Sequence, residues 1–312
     1  MKRILVVLFA VMMFAASCSQ SANPTDSPQA TPTAAPTQGT IVDREGTTVT
    51  LPVKVEKIIS IGASNTEILS ALGLLEKIVA VDSYSMDVEG IASDITTFDQ
   101  LNLDAEKMVS LMPDVVFISS MSKSGGDDPL KLVRDAGVCV LYIPSSTSIQ
   151  AIKDDIAFVG KATNLSGRAN EIIAEMDREI AEIKSIGDTI TEKKSVYFEI
   201  SPAPTMYSFG KGVFLNEMLE IIGAENTLGS MSDWVAVSDE TVLSLNPDVI
   251  LTNISYLPDP IGEIKSRPGW DAVTAVQNDA VYYIDANFSS RPDQNIIKAL
   301  RQMAEAVYPA EF

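Results

Sequence analysis

The sequence predicts an α/β fold of two βαβ lobes, each with a mainly parallel sheet, joined by a single long helix. Three observations carry that prediction. Short β-branched runs alternate with helical stretches from Ile58, stop near residue 148, and start again at Ser195. The segment between them, 149–190, is helical throughout in pattern, with no strand-like run. A third sign is repetition: "DAEKMVSLMPD" (104–114) returns as "SDETVLSLNPD" (238–248), and the runs "VVFI" (115–118) and "VILT" (249–252) follow the two copies. Strands separated by helices of this length imply right-handed crossovers and parallel pairing.

Taken in order, the chain opens with Lys2 and Arg3, an uncharged apolar run from Ile4 to Ala16, and then "AASC" (15–18). That run spans only about 20 Å as a helix, too short for a bilayer core of about 30 Å. Residues 1–17 therefore read as an export signal. "AASC" resembles a bacterial lipoprotein signal in which Cys18 is lipidated; a plain secretory peptide cut near Cys18 is the alternative. Residues 18–40 carry Pro24, Pro28, Pro32 and Pro36 and almost no large apolar side chain, so they are expected to be an extended, solvated tether.

The first lobe, 41–148, should contain strands at 57–62, 77–82, 115–119 and 138–144. Its helices are expected at 65–74 and 129–137, where Gly73 and Gly137 supply C-terminal caps. In 149–190, Ile172, Ile173, Met176, Ile180 and Ile183 form one apolar stripe, and Ser166 is a plausible N-cap. A helix from about 167 to 186 would run about 30 Å, enough to cross between lobes. The second lobe, 191–312, should contain strands at 195–201, 249–255 and 280–286. Helices are expected at 214–223, ended by Gly223, and at 295–309.

Composition narrows the function. The formal charge is −19, so nucleic acid and anionic headgroups are disfavoured partners. There is no histidine, which excludes Ser-His-Asp and Cys-His catalysis and His-ligated metal sites. Cys139, in the apolar run "GVCVLYIP", reads as a buried core residue, and with Cys18 spent on the anchor no disulfide framework is possible. The chain lacks G-x-G-x-x-G, G-x-x-x-x-G-K-[ST] and G-x-S-x-G, and "SFGKGVF" (208–214) lacks phosphate-loop spacing. An enzyme is not expected, nor a cofactor or metal centre of the protein's own.

In each copy of the repeat a good N-cap, Asp104 or Ser238, precedes a Glu two positions on. From spacing alone, Glu106 and Glu240 complement the helix dipole, worth about 0.3–1 kcal/mol each. The order of "KIISIGASNTEILSALGLLEKIVAVDSYS" (57–85), the two repeat units, "SFGKGVFLNEMLEIIGAEN" (208–226), "DWVAVSDE" (233–240) and "SSRPDQNIIKALRQMAEAVYP" (289–309) resembles the iron-siderophore and cobalamin substrate-binding proteins of bacterial ABC importers. The resemblance covers nearly all of 42–310. It implies the class III periplasmic-binding-protein fold: two Rossmann-like lobes bridged by one rigid helix, with the ligand between them. It also implies that Glu106 and Glu240 dock on arginines of a permease dimer served by cytoplasmic ATPases, and that the protein is a monomer. Its expected location is the outer face of the cytoplasmic membrane, held there through Cys18.

In open α/β sheets ligands bind beyond the carboxyl ends of strands. Here those segments are Gly62–Asn65, Ser83–Met86, Ser119–Lys123, Pro144–Ser146, Ser201–Pro204, Ser255–Leu257 and Asn287–Arg291. The aromatic pool in and near these loops is Tyr84, Phe98, Tyr207, Phe209, Trp234, Tyr256 and Phe288; each is either a ligand contact or core packing. By the resemblance, Tyr84, Phe98, Tyr207, Trp234 and Phe288 fall where cobalamin binders of the family line the cleft, and Arg291 falls at a recurrent Arg. Cations are few: Lys123, Lys211, Arg267 and Arg291. That scarcity favours a neutral or cationic chelate, a corrinoid or hydroxamate siderophore, over an anionic one. The alternatives are a haem binder using a Tyr ligand, and a scavenging surface lipoprotein without its own permease.

Overall fold

A strand hairpin opens the described part of the chain in the computed structural model, which covers residues 37–123 and 128–312. β1 (Thr37–Val42) pairs antiparallel with β2 (Thr48–Pro52), and Ile41 and Leu51 drop into the core. Residues 37–40, expected to be the last of the tether, lie in β1 instead. Cys18 and the rest of 1–36 lie outside the described residues. In the turn, Asp43 accepts from the Glu45 and Thr47 backbone N–H groups, at 3.0 and 2.8 Å.

The first lobe follows as β3 (Ile58–Ile61), α1 (Ala63–Ala71), β4 (Ile78–Asp82), β5 (Thr96–Phe98), α2 (Ala105–Ser110), β6 (Val115–Ser119), α3 (Lys131–Asp135) and β7 (Cys139–Ile143). The strands lie in the order β5-β4-β3-β6-β7, all parallel. The order reverses direction at β3/β6, which makes that pair the topological switch point. The central strand β3 and the edge strand β7 are both buried along their whole length, so the sheet is covered on both faces. Cys139 is buried, and burial pushes its thiol up to about 12, so it is inert as expected.

Two helices then cover the sheet, α4 (Ile149–Ala162) and α5 (Ser166–Gly187). The break between them falls at 163–165, just before the expected helix start, and Asn164 takes a left-handed φ of 61° there. Ser166 is the first helical residue and not the cap; Leu165 holds that place without a side-chain bond. At 22 residues α5 is about 33 Å long. Its Gly187 touches the second lobe: a Cβ there would sit 2.1 Å from the Ile221 carbonyl oxygen, so only glycine permits the approach.

The second lobe runs β8 (Ser195–Glu199), β9 (Met206–Phe209), α6 (Phe214–Ile221), β10 (Glu225–Asn226), β11 (Trp234–Val237), α7 (Asp239–Leu245) and β12 (Val249–Thr252). It closes with α8 (Pro260–Lys265), α9 (Thr274–Gln277), β13 (Val281–Tyr283), α10 (Ala286–Ser290) and α11 (Ile296–Val307). Its parallel sheet has the order β10-β8-β12-β13, and β9 and β11 form a separate antiparallel ribbon. One buried apolar cluster runs from Ile58 and Phe117 through Ile172 and Met176 to Phe198, Leu215 and Leu300, so the lobes share a core across α5. Smaller clusters fill the outer face of each sheet.

The repeated unit is the same device in both lobes. Asp104 and Ser238 cap their helices, accepting from the Lys107 and Thr241 N–H groups. Met112 and Asn246, at equivalent positions, take left-handed φ values of 51° and 45° to turn the chain. The closing Asp then ties two strands. Asp114 Oδ2 accepts from the Glu56 and Lys57 N–H groups at 2.7 and 2.9 Å, and Asp248 Oδ2 accepts from Ser195 N and Oγ at 2.8 and 2.7 Å. Each carboxylate thus satisfies donors at the start of the neighbouring strand, which is why Pro-Asp recurs.

Candidate functional site

The carboxyl ends of β3, β4, β6 and β7 converge with those of β12 and β13 on a cavity of about 440 Å³ between the lobes. Six of the seven strand-end segments expected from sequence contribute to its wall; Ser201–Pro204 does not. Gly62 opens the wall after β3 with φ 110°, and a Cβ there would press on Ser119 Cβ at 3.1 Å, so glycine is needed where β3 and β6 part. Asp82, fully buried at the end of β4, holds both adjoining loops. It accepts from Gly62 N at 2.9 Å, Ser85 Oγ at 2.5 Å and Tyr84 N at 3.0 Å. The hydroxyls of Ser60, Thr66 and Ser85 continue this network under the cavity floor.

The wall is made of hydroxyls and amides (Ser64, Asn65, Gln100, Ser119, Asn287, Ser290) set among apolar groups, including Tyr84, Leu101 and Met121. Among the described residues Arg291 is its single charge. That guanidinium spans to the first lobe. Its Nη2 donates to Asp87 Oδ1 at 2.7 Å and to the Tyr84 carbonyl at 3.1 Å, and its Nη1 donates to Glu67 Oε1 at 3.3 Å. Second-lobe amides orient the same carboxylates: Asn287 donates to Asp87 Oδ2 at 3.0 Å and Asn295 to Glu67 Oε2 at 3.1 Å. Asp293, two residues beyond Arg291, is wholly buried, and burial pushes its carboxyl well above the usual range.

The other candidate cations are not available to the cavity. Lys123 pairs with Glu45 and lies over the Tyr142 ring. Burial works against ionisation of Glu45, but the hydrogen bonds from Lys123 and Ser120 outweigh it and hold its carboxyl low. Arg267 is buried, bonded to both oxygens of Glu199 at 2.7 Å and paired with Glu263, and it stacks on Trp270. Lys211 is exposed and outside the wall.

Of the aromatic candidates, Tyr84 lines the cavity and is 64 % exposed. Tyr256, 69 % exposed, adjoins the lining residue Ser255 at the rim. Tyr207 and Trp234 stand in strands and not in loops. They share one face of the β9/β11 ribbon with the buried Phe209, and the other face buries Met206 and Val237. Trp234 meets Phe209, itself buried, edge to face at 6.2 Å.

Two expectations are corrected. Phe98 is 4 % exposed in the core beneath α2, with Lys107 5.0 Å from its ring. Phe288 packs on the core under Lys298, because α10 is a helical turn that sends Ala286, Asn287 and Ser290 to the cavity and Phe288 toward α11. Gln100, Leu101 and Met121 were missed as individual wall residues. β5, the strand before Gln100, is three residues long and leaves almost no periodic signal.

Glu106 and Glu240 are exposed in the first turns of α2 and α7, with no ion pair among the described residues. Lys107 Nζ reaches the Thr97 carbonyl near the carboxyl end of β5, so the first turn of α2 faces the cleft side of its sheet. In the other lobe Ser238 follows β11, whose partner β9 bridges to Ser201 just beyond β8. Each lobe thus presents one free carboxylate on a first helical turn.

A model of the periplasmic binding protein family matches residues 58–288. An ABC transporter substrate-binding lipoprotein of Bacillus subtilis is 34 % identical over 278 residues, 88 % of this chain and 86 % of that protein. A cobalamin-binding protein of Halobacterium salinarum is 22 % identical, covering 85 % of this chain and 73 % of its own. The solved structure of a possible iron-binding solute-binding protein from Staphylococcus epidermidis has a TM-score of 0.73 at 31 % identity, over 82 % of this chain and 99 % of that one. With the matching fold, the inter-lobe cavity and these relatives together, the chain belongs to the periplasmic binding protein family.

Proposed function

We propose that this protein is the lipid-anchored, extracytoplasmic substrate-binding component of an ABC importer, capturing a neutral metal chelate between its lobes and delivering it to a permease dimer. A corrinoid fits best and a ferric hydroxamate second. The observation that carries the reading is the cavity wall, with hydroxyls and amides set among apolar surface and its one guanidinium already engaged by two carboxylates. Such a lining suits an amide-rimmed, flat ligand, whereas carboxylate or catecholate chelates need free cations. The relatives that bind cobalamin support the same class. Haem is disfavoured by its propionates, although Tyr84 offers a phenol in the wall. Glu106 and Glu240, exposed and with no ion pair among the described residues, are the docking points; a scavenger without a permease has no use for one on each lobe.

The test is a thermal-shift panel on the full chain with cyanocobalamin, a ferric hydroxamate, a ferric catecholate and haem. A ligand at 100 times its Kd stabilises by about 2.7 kcal/mol. Cyanocobalamin or the hydroxamate should shift the melting temperature; a response to the catecholate alone would overturn the ligand class.

A further inference from the structure

We propose that Glu67 and Asp87 are specificity-determining residues of the cleft: by engaging the Arg291 guanidinium they withhold its charge from the ligand and bias the site against anionic chelates. The inference deepens the proposed function and rests on the cavity being the chelate site.

Neither carboxylate lines the cavity, whereas Arg291 does. Arg291 lines the cavity, and its two terminal nitrogens are engaged by Glu67, Asp87 and the Tyr84 carbonyl. A carboxylate or catecholate oxygen in the cavity would have to compete with both acids for those N–H groups. One guanidinium against two carboxylates leaves the cluster with a net negative charge, so the field at the wall repels an anion. The arrangement is not a chance surface pair. Arg291 is only 12 % exposed and Glu67 18 %, where solvent screens little. Asn295 and Asn287 fix the second oxygen of each acid, and Gln294 Nε2 donates to the Glu67 backbone carbonyl at 3.2 Å. Asp87 is the more exposed partner, at 51 %, and contributes less per charge.

The inference predicts a change in selectivity by ligand charge, which a merely structural role would not produce. Glu67→Gln/Asp87→Asn keeps both side-chain shapes and the acceptor oxygens facing Arg291 and, with the Asn295 and Asn287 amides turned over to accept from the new NH2 groups, frees its charge. Three probes on the full chain in detergent report the effect: an anionic ferric tris-catecholate, neutral cyanocobalamin and cationic diaquocobinamide. The double variant should bind the anion about tenfold or more tighter than wild type and the cation several-fold weaker, with cyanocobalamin within about threefold. Asp87→Asn alone, at the more exposed of the two partners, should move in the same direction by less. Affinities that fall alike for all three probes, or an anion affinity that does not rise, would overturn the inference while tight wild-type binding of cyanocobalamin leaves the cleft reading intact. No binding of any probe by wild type or variant would overturn both.

Discussion

Asp293 is the residue whose environment is furthest from water. Its Oδ1 accepts from Asn295 N at 2.7 Å, and its Oδ2 has no partner among the described residues. Burial raises its pKa most; the Asn295 N–H opposes the rise and the nearby Glu67 adds to it. The folded pKa therefore lies above the unfolded value of about 3.9, and between the two the native state binds the extra proton. This contribution to stability is complete below about pH 3.9 and is lost as pH climbs through the folded pKa. Asp293→Asn, which still accepts from Asn295, should raise the melting temperature clearly at pH 8 and far less near pH 4. An equal shift at both pH values would show that proton uptake at Asp293 does not govern stability.

At the scale of elements, the repeated helix-to-strand unit explains more than its sequence suggested. The Glu drew attention, yet the closing Asp is the structural constant: Asp114 and Asp248 each tie the start of a neighbouring strand. Asp114→Ala would leave the Glu56 and Lys57 N–H groups to solvent. It should cost about 1–3 kcal/mol, read as a lower urea midpoint with an unchanged slope. A loss below about 0.5 kcal/mol would mean that water substitutes fully. The position before the proline is less well optimised in the first copy. Asn246 takes the left-handed turn readily, whereas Met112 holds the same φ region as a long exposed side chain, at about 1–2 kcal/mol.

For the whole molecule, the lobes are tied by more than the helix between them. The core is continuous through α5, Glu217 of α6 accepts from the Ile149 N–H at the start of α4 at 2.9 Å, and the Arg291 cluster spans the cleft. A body braced at these points keeps its two exposed carboxylates, Glu106 and Glu240, at a defined separation. On the proposed function, Glu106→Arg/Glu240→Arg should abolish chelate uptake by cells while chelate affinity stays within about twofold, since neither residue lines the cavity. Normal uptake by the double variant would remove docking from the proposal.

The sequence by itself determined the βαβ alternation, the long crossing helix to within a residue or two at each end, the N-caps of the repeat and six of the seven segments around the cavity. All of these are local: strand and helix periods, caps and strand ends are written in neighbouring residues. Only the tertiary structure decided which way each side chain points and what it meets. Phe98 and Phe288 differ from Tyr84 not in type or proximity to strand ends but in which face their short element turns to the core. The short elements, β5, the β9/β11 ribbon and α10, were illegible because three to five residues hold only one or two periods, too few to stand out from chance. Arg291 was legible as a cleft residue; its neutralisation was not, because Glu67 and Asp87 lie more than 200 positions away and meet it only in the folded chain.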